Sequence, residues 1–370
     1  MSLIKFKYKE HQEKKERYGY MKGWMGKVKS VFLLSLLALV LAGCGKENLT
    51  AFVPKGYGAE SSMNLIILSS LIMLFVFIIV FLVYVITLVR FRKKKGQEDF
   101  VPKQVEGNKT LETVWTVIPI ILVLVLAVPT VAATFDLADE SGAKDGINID
   151  VTGNQYWWHF SYAGEEIQTS QDLYIPTGEK VYLNMQSSDV IHSLWVPSIS
   201  GKMDVSPENE NTMYIEANEE GVYWGKCAEL CGPSHSLMDF KVVAVSPEEY
   251  EQWVEEMKKV DPEAQPQDAV AQDGKAAFEE NNCMSCHAIG SSPAAVGPNL
   301  TNFGDRSKIA GILEPTKENL VQWIRDPESI KPGNKMTGNY PELSEEEASN
   351  IAEYLLQLQP SEITPESAGN

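Results

Sequence analysis

Apolar residues run almost unbroken at two places in the chain and recur with a period elsewhere. Residues 64–89 (NLIILSSLIMLFVFIIVFLVYVITLV) carry no charge and are long enough to cross a bilayer as a helix. Residues 114–135 (VWTVIPIILVLVLAVPTVAATF) form a second such run. Pro119 and Pro129 are tolerable there because neighbouring groups in a membrane helix can re-satisfy the freed backbone. A shorter run, VFLLSLLALVLAGC at 31–44, follows Lys27 and Lys29 and ends in Leu41-Ala42-Gly43-Cys44. A basic flank, a short apolar stretch and small residues at the break predict a secretory signal.

Beyond residue 135 the pattern changes. INIDVTG, QYWWHFSY, DLYIP, KVYLNMQS, VIHSLWVP, TMYIEA, GVYWGKC and MDFKVVAV are short, aromatic and β-branched, with Gly, Pro, Asn or Glu clusters between them. Such runs predict an all-β sandwich or barrel. SPEEYEQWVEEMKK, from Ser246, has a Ser-Pro-x-Glu start and predicts one short helix. DPEAQPQDAVAQ, from Asp261, is polar and Pro-containing and reads as a linker. GKAAFEEN, ENLVQWIRD and SEEEASNIAEYLLQLQ then predict helices. The expected plan is a lipoprotein signal at 1–43 and a transmembrane hairpin at 44–135, with spans near 64–89 and 114–135 and a cytoplasmic loop at 90–113. A β domain at 136–245, a short helix and linker at 246–272, an all-α domain at 273–359 and a tail at 360–370 complete it.

Charge orients this plan. Between the spans stand Arg90, Arg92, Lys93, Lys94, Lys95, Lys103 and Lys109 against three acids at 90–110, which the positive-inside rule places in the cytoplasm. Everything after the second span is then outside. That outer part, 135–370, holds 14 Lys and Arg against 41 Asp and Glu. Such a surface argues against nucleic acid and for steering of a basic partner, with plain solubility as the other reading. The small pair before Cys44 resembles the lipobox of bacterial lipoproteins, whose cysteine is acylated. An uncleaved anchor with a spectator thiol is the alternative.

Five cysteines, Cys44, Cys227, Cys231, Cys283 and Cys286, are an odd number for an exported chain, so at least one serves something other than intramolecular pairing. CAELCGPSHSLM at 227–238 places Cys227, Cys231, His235 and Met238 together, and VIHSLWVP supplies His192 at a strand end. One blue-copper ion uses two histidines, one thiolate and a weak axial group. Two thiolates, two histidines and a thioether exceed that. They suit two coppers bridged by both thiolates, each capped by a histidine. A Cys227–Cys231 disulfide or a single zinc ion is the alternative.

CMSCH at 283–287 is a Cys-x-x-Cys-His run, in which Cys283 and Cys286 attach heme c and His287 binds its iron. A redox dithiol or a zinc pair is the alternative. Met336, in KPGNKMTGNYPELSEEE, is the only methionine after His287 and the candidate sixth ligand. Met284 sits inside the attachment loop, badly placed for the opposite face.

His192 together with 227–238 closely resembles the binuclear copper motif (CuA) of cytochrome c oxidase subunit II. The two-helix hairpin, ETVWTVIP at 112–119 and GNQYWW at 153–158 resemble the same family, over about 60–245. The resemblance implies a cupredoxin-like Greek-key barrel behind a membrane hairpin. It implies His192 and His235 capping the coppers, Cys227 and Cys231 bridging them, and Met238 and the Glu229 carbonyl as weak ligands. It also implies a magnesium ion held by the Glu229 carboxylate at the interface with subunit I, and Glu112 near the mouth of that subunit's proton pathway. The family's exposed electron-receiving tryptophan aligns with Tyr156, followed by Trp157 and Trp158, a departure that leaves three candidates. GPNL at 297–300 resembles the class I cytochrome c segment in which a proline carbonyl, here that of Pro298, accepts the ligand histidine's N–H. That family usually has proline after the axial methionine, where this chain has Thr337.

Neither span contains any of the five histidines (His11, His159, His192, His235 and His287). The chain therefore cannot build an intramembrane oxygen-reducing centre alone, and His159 is expected to hold no metal. The resemblance implies the electron-input subunit of a proton-pumping, heme c-containing terminal oxidase of Gram-positive bacteria. It would sit in the cell membrane with copper and heme domains on the outer face, take electrons from cytochrome c or a similar donor, and work with subunit I and the other subunits. A quinol oxidase subunit II should lack the copper ligands, all of which are present. A free-standing membrane-anchored carrier or copper-delivery protein would not need Glu112, Glu229 or two spans.

Overall fold

The structure is a computed structural model and describes residues 28–37, 48–92, 104, 106–292 and 296–369. Cys44 and most of the basic segment after Arg92 lie outside the described residues. Residues 1–47 form one unit, whose described part is the apolar helix α1 (Val28–Leu37), and residues 48–370 form the other.

In the larger unit α2 (Tyr57–Arg90) and α3 (Lys109–Leu137) are the two apolar helices. At 34 residues, α2 is about 51 Å long, more than the ~30 Å of a bilayer's hydrocarbon needs. No α3 side chain is buried, and in α2 only Gly58 and Ala59 are, which leaves an apolar surface suited to lipid or partner helices. Inside α3, Thr116, Thr130 and Thr134 donate to carbonyls one turn back. The hairpin is tied at one end by Tyr57 Oη, which donates to Asp136 Oδ2 at 2.5 Å. Residues 48–56 run along the β domain: Trp224 N–H donates to the Asn48 carbonyl at 3.0 Å, and Lys55 N–H to that of Ser198 at 2.7 Å. The membrane helix thus hangs directly on that domain.

The β domain is a sandwich of two five-stranded sheets. One orders β3 (Ile167–Ser170), β2 (Trp157–Tyr162), β1 (Ile147–Asn154), β5 (Val181–Ser187) and β8 (Asn211–Ile215). The other orders β4 (Asp172–Pro176), β10 (Asp239–Val245), β9 (Gly221–Cys227), β6 (His192–Trp195) and β7 (Lys202–Val205). Strand β9 alternates buried and half-buried positions, as a strand with one covered face should. Every residue of β10 is buried, because the segments that follow cover its second face.

The helix α4 (Pro247–Lys258) starts with the expected capping box between Ser246 and Glu249. Its Trp253 is fully buried and stacks on Tyr174 at 4.5 Å between ring centroids, with Tyr162 at 5.1 Å. This aromatic cluster fastens the helix to the sandwich. The all-α domain follows, with α5 (Ala269–Glu280), α6 (Lys317–Arg325), α7 (Pro327–Ile330) and α8 (Glu345–Leu356) around its own apolar core, which includes Phe278, Leu320 and Ile351. The expected tail at 360–370 turns back over its described part, 360–369. Ile363 joins the core of the β domain, and α9 (Pro365–Ala368) lies against β9 and β10.

Asp172, at the start of β4, is buried where the two domains meet, and its Oδ2 has no hydrogen-bond partner among the described residues. Burial raises its carboxyl to about 6, although Lys241 and Arg306 pull the other way. A carboxyl raised in the folded state takes up a proton on folding. Its stabilising contribution is therefore full below about pH 4 and is lost as the pH rises through about 6, by at most about 3 kcal/mol. Asp172→Asn should leave stability at pH 4 little changed or lower, and should flatten the decline towards pH 7. Thermal unfolding of the detergent-solubilised protein at both pH values checks this; a decline equal to the wild type's counts against it.

Candidate functional site

Register builds the first site. In the β6–β9 pair Leu194 lies opposite Cys227, which sets His192, two residues before Leu194, beside the end of β9. The loop between β9 and β10 then closes on itself, with Cys227 N–H donating to the Met238 carbonyl at 3.3 Å. Inside that closure Cys227 Sγ lies 3.8 Å from Cys231 Sγ and 3.9 Å from His192 Nδ1. Cys231 Sγ lies 3.7 Å from His235 Nδ1 and 3.9 Å from Met238 Sδ, and the Glu229 carbonyl is 3.2 Å from Cys227 Sγ. All six expected copper-site residues are brought together. His192, Cys227, Cys231 and Met238 are buried and His235 is half-buried, while the Glu229 side chain is exposed.

Both thiols are free, at a separation far beyond the ~2.05 Å of a disulfide. Two sulfurs 3.8 Å apart can share metal ions held at about 2.3 Å from each. Burial pushes both thiols up. For Cys227 the hydrogen bonds to His192 and to backbone groups outweigh burial and leave it lowered, whereas the nearby Cys227 charge drives Cys231 further up. The pair gives up one proton readily and holds the other until a cation arrives. His192 Nε2 lies 2.8 Å from Asp189 Oδ1. With Asp189 ionised that nitrogen donates, so Nδ1 presents its lone pair to the sulfurs. Burial pulls His192 down, but Asp189 and Cys227 outweigh it and leave it raised. Asp189 was not legible as part of the site, since an acid three residues before a histidine in a turn carries no distinctive pattern.

The second site lies in the all-α domain. Its cavity is lined by Cys283, Cys286, His287, Pro298 and Met336, so the expected heme ligands face one space. His287 Nδ1 donates to the Pro298 carbonyl at 2.8 Å. That leaves Nε2 as the nitrogen available to a ligand, and burial pushes the ring's pKa down, towards the neutral form. Met336 is half-buried on a loop organised by Asn334, whose Oδ1 accepts from the N–H groups of Met336 at 2.9 Å and Thr337 at 3.0 Å. A proline after the methionine could not make the second bond, which Thr337 does. Arg306 lines the same cavity, buried, with its Nε unpartnered among the described residues. A buried cation of this kind fits an acidic group of the heme, and sequence reasoning missed it.

The two sites adjoin. Gln155, Tyr156 and Trp157 of the β domain also line the heme cavity. Tyr156 is buried, Trp157 half-buried, and Trp158 wholly buried with its ring edge-on to His192 at 5.9 Å. His159 is half-buried in β2 and belongs to no ligand cluster among the described residues. Glu112 stands exposed in the first turn of α3.

Comparison with known proteins agrees with this layout. Residues 59–132 match the transmembrane domain of cytochrome c oxidase subunit II, residues 165–245 its periplasmic domain, and residues 271–359 cytochrome c. The cytochrome c oxidase subunit 2 of Alkalihalophilus pseudofirmus is 49% identical over 344 residues, covering 91% of this chain and 99% of that protein. The chain belongs to the cytochrome c oxidase subunit 2 family. Its Bacillus subtilis relative, also a cytochrome c oxidase subunit 2, is 45% identical over 346 residues, covering 89% of this chain and 97% of the relative. A quinol oxidase subunit 2 of Bacillus cereus is 34% identical over 239 residues, covering 64% of this chain and 81% of that protein. As a member of the subunit 2 family the chain is a membrane-anchored component of a terminal oxidase with an electron-transfer role. Its β domain implies copper and its all-α domain heme c.

Glycines let both histidines lie flat against the backbone. A Cβ on Gly153 would stand 2.9 Å from His192 Cδ2, and one on Gly297 would stand 2.7 Å from His287 Cε1. Gly153→Val should leave the strand intact, displace the His192 ring and weaken copper binding by about 10- to 100-fold, the range for misoriented metal ligands. Copper titration with metal analysis reads this, with heme attachment as the internal control.

Proposed function

We propose that this subunit receives electrons at its heme c domain from a reduced cytochrome c or a similar donor. It then passes them through the binuclear copper site to subunit I, where oxygen is reduced. The observation that carries this reading is the shared wall: Tyr156 and Trp157 of the copper domain line the cavity that also presents Cys283, His287 and Met336. The bound heme and copper pair each supply one-electron chemistry that no side chain of this chain provides.

The chain's residues hold, orient and shield these centres. Cys283 and Cys286 would anchor the heme, and His287, through Nε2, and Met336, through its thioether, would hold its iron, a pairing that raises potential. Cys227 and Cys231 would hold both coppers, His192 and His235 would each take one, and Met238 and the Glu229 carbonyl would be the weak ligands. The exposed Glu229 carboxylate suits a magnesium ion at the boundary with subunit I, and Glu112 suits the mouth of that subunit's proton pathway. Both redox domains sit on the outer face of the bacterial cell membrane, with lipid on Cys44 as a further anchor.

Two measurements test the assignment. Metal analysis of the purified subunit should give two coppers, with an EPR pattern from one electron shared by two copper nuclei. A single copper overturns it. Replacement of Cys227 or Cys231 by serine should abolish the signal, whereas Met238→Leu should keep copper and shift its potential. Met336→Ala should keep the covalent heme, lose the weak sulfur-to-iron absorption at the red end of the spectrum and lower the heme potential. An unchanged spectrum assigns the sixth position to another residue. Co-purification with a polytopic heme protein separates the oxidase subunit from a free-standing carrier.

A further inference from the structure

Asp189 is a ligand in neither site, yet it connects them. Its Oδ1 pairs with His192 Nε2 at 2.8 Å, and its Oδ2 accepts from Lys335 Nζ at 2.8 Å. Lys335 belongs to the heme domain and immediately precedes Met336. The carboxylate is fixed from its own side, since Gln155 N–H donates to Oδ2 at 2.9 Å and Val190 N–H to Oδ1 at 2.8 Å. Among the described residues, only the lysine comes from the other domain. Nearby, Ser234 Oγ donates to the Pro332 carbonyl at 2.7 Å, and Gly333 lies against Tyr156 and Pro233. The start of the methionine loop therefore rests on the copper domain.

We propose that Asp189 is a positioning residue that pins the methionine loop of the heme domain to the copper site through Lys335. In doing so it sets the rate at which an electron crosses between the two centres of one chain. The proposal rests on the electron path argued above. In that step the heme iron loses one electron and the copper pair gains it, and no atom or proton moves. Tunnelling falls steeply with separation, so the loop's register matters more than the strength of the bond.

The Lys335 side chain is 42% exposed and that of Asp189 13%. A pair this open adds little to stability, and losing it should change the loop's population by about two- to fivefold. It is also open to salt. Three other cations where the domains meet, Lys241, Arg306 and Lys331, are buried, and buried charges are screened much less.

The test uses the intact oxidase, with the heme photoreduced by a ruthenium complex and copper reduction followed optically. Lys335→Gln should slow the heme-to-copper step about two- to fivefold and remove its dependence on ionic strength. Lys335→Glu should slow it further, because two carboxylates then face each other, and Lys335→Arg should restore it. Heme absorption and copper EPR should keep their wild-type form in all three. In the same intact oxidase, hydrogen exchange at 334–339 should quicken in Lys335→Gln and quicken no further when Asp189→Asn is added. Wild-type rate and salt dependence in both Lys335→Gln and Lys335→Glu, with unchanged exchange, overturn the proposal. Absence of any heme-to-copper transfer in the unaltered oxidase defeats the electron path instead, while the exchange experiment still reports on the pin.

Discussion

The hydrogen bond from the Cys227 N–H to the Met238 carbonyl closes the loop on which the whole copper site depends. It turns a loop that would otherwise face solvent back over its own strand ends and buries both thiols and the thioether. The same register sets Lys226 opposite Asp239, where they form an ion pair at 2.5 Å just outside the closure. Burial then creates the chemical demand. Two thiols this close in a dry pocket cannot both ionise unless a cation compensates them, so the fold itself makes the site avid for metal.

Two unrelated folds in this chain solve the presentation of an imidazole in the same way. In each, an oxygen acceptor occupies one ring nitrogen and a glycine leaves room for the ring. The nitrogens are opposite: Asp189 takes Nε2 of His192, and the Pro298 carbonyl takes Nδ1 of His287. The choice of nitrogen follows from where the acceptor lies. A carboxylate from the preceding turn reaches the far side of the ring, whereas a main-chain carbonyl passing beneath reaches the near side.

Local motifs were legible in the sequence because their ligands are contiguous. The runs at 227–238 and 283–287, the capping box at Ser246 and the two apolar helices needed no knowledge of the fold. What escaped depends on packing between segments far apart. DFKVVAV reads as a strand with polar interruptions, yet Asp239 and Lys241 are buried along with its apolar residues, because another domain covers that face. Arg306 and Lys331 look like surface charges in sequence and are buried only where the domains meet. Asp189 sits in a polar turn whose pattern also fits an ordinary loop. The departure at Thr337 became intelligible only once Asn334 was seen to use its N–H.

The return of the C-terminus has a kinetic meaning. A domain tethered at one end sweeps a volume set by its linker, and meets its partner at an effective concentration that falls with linker length. Here the heme domain is fastened at both ends, by Trp253 of α4 before it and by Ile363 and α9 after it. It has almost no volume to sweep. On the electron path proposed above, such a chain would act as a wire with a fixed gap rather than as a swinging arm, and the diffusional search would be left to the donor.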